Sequence, residues 1–91
     1  MQRETRKITT PMGKNEVILY TYSTGRDYIN VRKFENDEEN LIKEMISSII
    51  VSFDGSKENI YERILEAHGY DFAFILGELT ELFQFNQKKT K

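Results

Sequence analysis

Cysteine and tryptophan are absent from this 91-residue chain, and proline and histidine occur once each. Without cysteine there is no disulfide framework and no thiolate metal site, which fits a reducing compartment. The lone histidine, His68, has no cysteine to join it in a zinc site. It falls at the end of a helical pattern, where an imidazole interacts favourably with the helix dipole. No apolar run is long enough to span a bilayer, and none follows the basic start as the core of a signal peptide would. Catalytic motifs are missing as well. Gly13-Lys14 lacks the upstream glycine and the following Ser or Thr of a phosphate loop. Asp54, Glu58 and Asn59 do not have calcium-loop spacing. The expectation is a chain with no catalytic residue, no cofactor and no metal, and hence not an enzyme.

What is present is a small, charged, aromatic-containing domain. The length predicts a single domain over residues 1–91, with 1–6 and 85–91 as flexible ends. A chain of this size buries roughly two-thirds of its unfolded surface, so its stability is modest. The net charge of −2 conceals a strong asymmetry. Residues 34–82 carry 12 acidic and 3 basic residues, and the rest of the chain carries 10 basic and 3 acidic. An acidic helical body with basic ends disfavours nucleic acid as a partner. Such a body either solvates helix faces or docks a basic partner.

The hydrophobic pattern predicts an α+β fold, an N-terminal β-hairpin over 7–22 packed on a small bundle of three to four helices. Residues 8–10 suit a short strand, and Pro11-Met12-Gly13 a reversal in which glycine takes a left-handed or bulged conformation. Residues 17–22 are the strongest strand signal, apolar on both faces. Two strands beside a few helices cover one face, which leaves the other as an interface candidate. Thr24 suits the cap of a helix opening at Gly25, with Asp27 in its first turn. Residues 28–34 fit either a strand alternation or a helix face, and the helix is the favoured reading. A clear helix begins at Asn36 or Asp37, with Leu41, Ile42, Met45, Ile46, Ile49 and Ile50 on one stripe, and stops at Asp54-Gly55. Ser56 is expected to cap the next helix, which carries Ile60, Tyr61, Ile64 and Leu65 and ends at Gly69. Asp71 is expected to cap the last, with Phe72, Ile75, Leu76, Leu79, Leu82 and Phe83 on one side. Gly77 within that helix suggests a close helix contact.

The 5 Tyr and 6 Phe fall in clusters. Tyr20, Tyr22 and Tyr28 lie in and after the main strand, while Phe74 and Phe85 sit off the apolar stripe of the last helix. Such aromatics serve either core packing or partner contact. With Ile18 on the same strand face as Tyr20 and Tyr22, they form the candidate set for partner binding or self-association: Ile18, Tyr20, Tyr22, Tyr28, Phe74 and Phe85.

Several short motifs follow one another in order. Thr9-Thr10-Pro11-Met12-Gly13 precedes a Val17-Ile18-Leu19 strand. Thr24-Gly25-Arg26-Asp27 follows, then Asp54-Gly55-Ser56-Lys57-Glu58-Asn59 before an Ile-rich helix, and Gly69-Tyr70-Asp71-Phe72 before the last helix. Each is weak alone. In this order and spacing, over residues 7–83, they resemble the tail assembly chaperones of long-tailed, siphovirus-type bacteriophages. The chain departs from that pattern at Ser23, where Leu is common, and in a 28–34 segment less basic than usual. The resemblance implies a non-catalytic protein that binds the tape-measure protein and recruits tail-tube subunits in the cytoplasm of the infected bacterial host. It implies absence from the mature virion, a possible homo-oligomer, and a possible frameshift-extended form as a further partner. No nucleic acid or membrane partner is expected. The alternative class is a permanent structural or adaptor protein of the phage particle, as at a head–tail joint, and a small regulatory binder is more distant.

Overall fold

The computed structural model describes residues 3–83. Strand β1 (Thr5–Thr9) and strand β2 (Glu16–Tyr20) form the N-terminal hairpin, with Ile8 opposite Val17 and Arg6 opposite Leu19. β1 begins inside the segment expected to be a flexible end. Helices α1 (Gly25–Arg32) and α2 (Glu38–Ile49) follow. The chain then returns as strand β3 (Ile50–Phe53) on the other side of β2. Helices α3 (Ile60–Leu65) and α4 (Gly69–Phe83) complete the α+β fold. Both strand pairs are antiparallel, and the order β1-β2-β3 makes β2 central and β1 and β3 edges.

One face of the sheet carries the core. Residues opposite one another across a ladder point to the same side, which groups Ile8 and Val17 with Phe53, and Leu19 with Ile50. These join Val31 of α1, Met45, Ile46 and Ile49 of α2, Ile64 of α3, and Ile75, Leu79 and Phe83 of α4 in one buried cluster. α4 runs alongside the hairpin. Asp71 reaches the β1–β2 turn, Glu78 pairs with Arg6 in mid-strand, and the Leu82 carbonyl accepts from Ser23 Oγ beyond the far end of β2. From Asp71 to Leu82 a helix advances roughly 16 Å, the length of a five-residue strand.

The element missing from the sequence reading is β3. Ile49 and Ile50 continue the apolar stripe of α2, so periodicity alone runs the helix on to Asp54-Gly55. In the structure Ile50 turns extended, with ψ 126°, while its N–H still donates to the Ile46 carbonyl. The reason is long-range: β2 has an open edge that a β-branched run can pair. A register shift between Ile18 and Leu19 accommodates the extra residue. Asp54 and Gly55 are then not a helix stop but a tight two-residue turn, with φ of 52° and 84° and reciprocal bonds between Phe53 and Ser56. Two successive positive φ values are what a primed turn needs, and Asp-Gly supplies them at little cost.

Residues 25–32 are helical, and Thr24 and Asp27 form a reciprocal capping box, worth about 1 kcal/mol. Asp37, rather than Asn36, caps α2. Ser56 does not cap α3. Its hydroxyl accepts from the Glu58 N–H, and Asn59, in the left-handed region, precedes the helix. Gly69 does not end α3 but opens α4, and His68 caps α4 by accepting the Tyr70 N–H on Nδ1 at 3.0 Å. A Cβ added at Gly77 would meet no atom within 4 Å, so no close helix contact requires glycine there.

The β1–β2 turn is held by two carboxylates from distant parts of the chain. Asp71 accepts from the Met12 and Gly13 N–H groups, each at 2.8 Å. Asp54 accepts from the Asn15 side-chain amide at 2.7 Å and the Glu16 N–H at 2.8 Å. Thr10, fully buried, accepts the Asn15 N–H between them. In this turn Lys14, not Gly13, takes the left-handed conformation, at φ 57°. Gly13 is needed for space: a Cβ there would lie 2.7 Å from Asn15 Oδ1 and 3.1 Å from Asp71 Oδ2.

Candidate interaction surfaces

The sheet face away from the core carries Thr5, Lys7 and Thr9 of β1 against Tyr20, Ile18 and Glu16 of β2, with Ser52 of β3 opposite Ile18. Ile18 is half-buried there, and Tyr20, also half-buried, packs against the core cluster. Lys7 Nζ and Glu16 Oε2, 3.7 Å apart, flank Ile18 at a solvent-exposed distance that contributes little stability. The face is therefore mixed, with one aliphatic side chain between charges and threonines.

Tyr20 is less available than a bare strand pattern suggests. The Arg3 guanidinium lies 3.9 Å from the centre of its ring and 5.8 Å from that of Tyr22. Arg3 also donates to Asp27 Oδ2 at 2.8 Å and to the Tyr22 carbonyl at 3.1 Å. Stacking a guanidinium on a ring contributes about 1 kcal/mol, and the partly buried ion pair fastens the N-terminal segment to α1. Tyr22 remains 50% exposed. Tyr28, on α1, is also exposed, and its hydroxyl accepts from Arg32 at 3.0 Å. That bond, then Glu35 at 2.9 Å, raises the Arg32 pKa above its ordinary value.

Of the six candidate residues, the fold brings Tyr20 and Tyr22 together through Arg3, and Arg3 links them to the helix that holds Tyr28. Ile18 shares the outer face with Tyr20. Phe74 is elsewhere: with Pro11, Tyr70 and Ala73 it lines a shallow cleft of about 420 Å³ at the turn end of the hairpin. Phe85 lies outside the described residues. The sequence reading missed the most exposed apolar side chains, Tyr70 at 65% and Ile29 at 61%. It also missed Arg3. Ile29 carried a signal in its apolar place beside the buried Val31, but the strand-or-helix ambiguity of 28–34 hid which residue faced solvent.

Asp71 is the most unusual titratable group. It is buried against the turn. Burial raises its pKa, and the Met12 and Gly13 N–H groups, Thr10 and the nearby His68 lower it, with a net shift downward. Its contacts are backbone donors of the turn, which makes it a clamp. No group of three or more His, Cys, Asp or Glu side chains able to hold a metal ion occurs among the described residues. None of the described helices is long and apolar enough to cross a membrane. Comparison of the chain with protein-family models, with curated proteins and with solved structures gives no match.

Proposed function

We propose that the chain is a phage tail assembly chaperone, which binds the tape-measure protein of its own phage, recruits tail-tube subunits and performs no catalysis. The observation that supports this reading most is where its motifs fall. Thr24 to Asp27 is a capping box, Asp54-Gly55 a primed turn, Gly69 the start of α4, and Pro11-Met12-Gly13 the turn clasped by Asp71. The residues that carry the resemblance are thus joints of a scaffold rather than reacting groups, as suits a protein that works through its surfaces. The acidic balance of residues 34–82 would steer a basic partner segment and speed association at low salt. In this reading the protein acts in the cytoplasm of the infected host and is left out of the finished virion.

Co-expression with the tape-measure protein is expected to raise that protein's solubility and to give a co-purifying complex insensitive to chelator and to ATP. If no complex forms, and mass spectrometry finds this chain at structural copy number in purified particles, the permanent structural or adaptor class replaces the chaperone.

Self-association belongs to the same reading, and Tyr22 is its most accessible aromatic on the hairpin side. Tyr22→Ser is expected to shift sedimentation towards smaller species, while stability changes by no more than about 0.5 kcal/mol, as for other surface substitutions. Sedimentation unchanged from wild type removes Tyr22 from any self-contact.

A further inference from the structure

We propose that the groove between α2, β3 and α3 is a docking site for an acidic, apolar segment of a partner protein. The groove holds about 440 Å³; half-buried Val51 and Ile60 form its apolar surface, over the buried Ile46 and Ile50. Lys43 and Lys57 both line it. Its position follows from the fold. β3 is an edge of the sheet, and α3 packs against β3 and α2 without closing over the junction.

Charge decides the occupant. Residues 34–82 contain 12 carboxylates and only 3 basic side chains, Lys43, Lys57 and Arg63. Two of those three line this one groove. Neither forms an ion pair with a described residue, although carboxylates outnumber basic side chains fourfold in this part of the chain. Lys43 instead places its ammonium 5.5 Å from the centre of the Tyr61 ring, and Lys57 is exposed. Glu62 is the single carboxylate in the lining. Asn59 stands at the rim with its side-chain amide unused as a helix cap. A ligand matched to these groups packs an aliphatic or aromatic side chain against Val51 and Ile60 and sets carboxylates against the two ammonium groups. A basic segment, suited to the rest of the acidic body, is repelled here. The site thus selects a different chemistry from the surrounding surface, whichever protein supplies the segment.

The test starts with random short peptides displayed against the whole chain, followed by titration of the enriched peptide into isotope-labelled protein. The expected consensus is an apolar residue flanked by Asp or Glu. Amide shifts are expected at Ser47, Val51 and 57–61. Lys43→Glu combined with Lys57→Glu is expected to weaken binding about tenfold or more, and wild-type binding to weaken as salt rises. Lys57→Gln alone serves if the double variant loses its melting transition, since Lys57 is exposed and holds no ion pair among the described residues. The proposal is overturned by a selection that enriches nothing, by a consensus without carboxylates, or by shifts confined to other faces such as the outer side of the sheet. A peptide that binds the charge-reversed variant as tightly as wild type overturns it too. Because the probe is a free peptide, failure here leaves the tape-measure interaction untouched, and failure of that interaction leaves the groove untouched.

Discussion

Ile46→Asp is expected to leave the chain without a cooperative unfolding transition. Ile46 is 2% exposed and lies within the buried cluster shared by the sheet and four helices. A carboxylate there must either stay charged in an apolar surrounding or take up a proton, and it loses the packing of the isoleucine in both cases. Losses of this kind exceed about 4 kcal/mol, against a total stability of about 5–15 kcal/mol for small domains. Ile46→Val provides the contrast. It removes one methylene from the same site and is expected to cost about 1 kcal/mol, or roughly 4–8 °C in melting temperature. Circular dichroism melting of both variants checks the prediction. If Ile46→Asp melts like wild type, Ile46 does not lie in the core.

The second large effect is expected at Asp71, and it should depend on pH. The folded-state pKa of Asp71 is lowered, because the N–H donors of Met12 and Gly13, Thr10 and His68 together outweigh the burial that raises it. A group with a depressed folded pKa adds stability that is complete above its unfolded value, about 3.9 for aspartate. That contribution fades as pH falls from there through the folded value. Asp71→Asn keeps the shape but loses the charge and replaces one acceptor oxygen with a donor. At neutral pH the variant is expected to melt below wild type and to show faster hydrogen exchange at Met12 and Gly13. The gap between the two proteins should begin to narrow below about pH 4, where the unfolded chain takes up the proton, and close as the folded carboxyl is protonated at lower pH. A gap constant across that window would mean that Asp71 acts by packing alone. Gly13→Ala should loosen the same turn from the other side, because its Cβ has to displace Asn15 and crowd Asp71. Combined with Asp71→Asn, its effect should be less than additive.

Local chemistry made part of this fold legible in the sequence. The hairpin, the class α+β, the Thr24 cap with Asp27 at the third helical position, and the apolar stripe of α2 all rest on neighbours three or four residues apart. Other features depended on partners far along the chain. Ile50 to Phe53 became a strand because β2 offered an edge, and no local property separates such a run from the end of a helix. Asp71 has the spacing of a helix cap, but its carboxylate goes 58 and 59 residues back to the hairpin turn. His68 took over the cap instead. The candidate surface divided in the same way. The aromatic content of 20–28 was visible as composition, yet Arg3 covering Tyr20, and Phe74 lying at the opposite end of the hairpin, are matters of tertiary arrangement. The groove holding Lys43 and Lys57 could not be seen from spacing at all, since the two lysines belong to different elements and meet only across β3. Sequence thus determined which segments bury a stripe and where local caps form, because those are short-range energies. Tertiary structure decided which backbone edges are paired, which carboxylates are clamps and which side chains face solvent, because those energies exist only after distant segments meet.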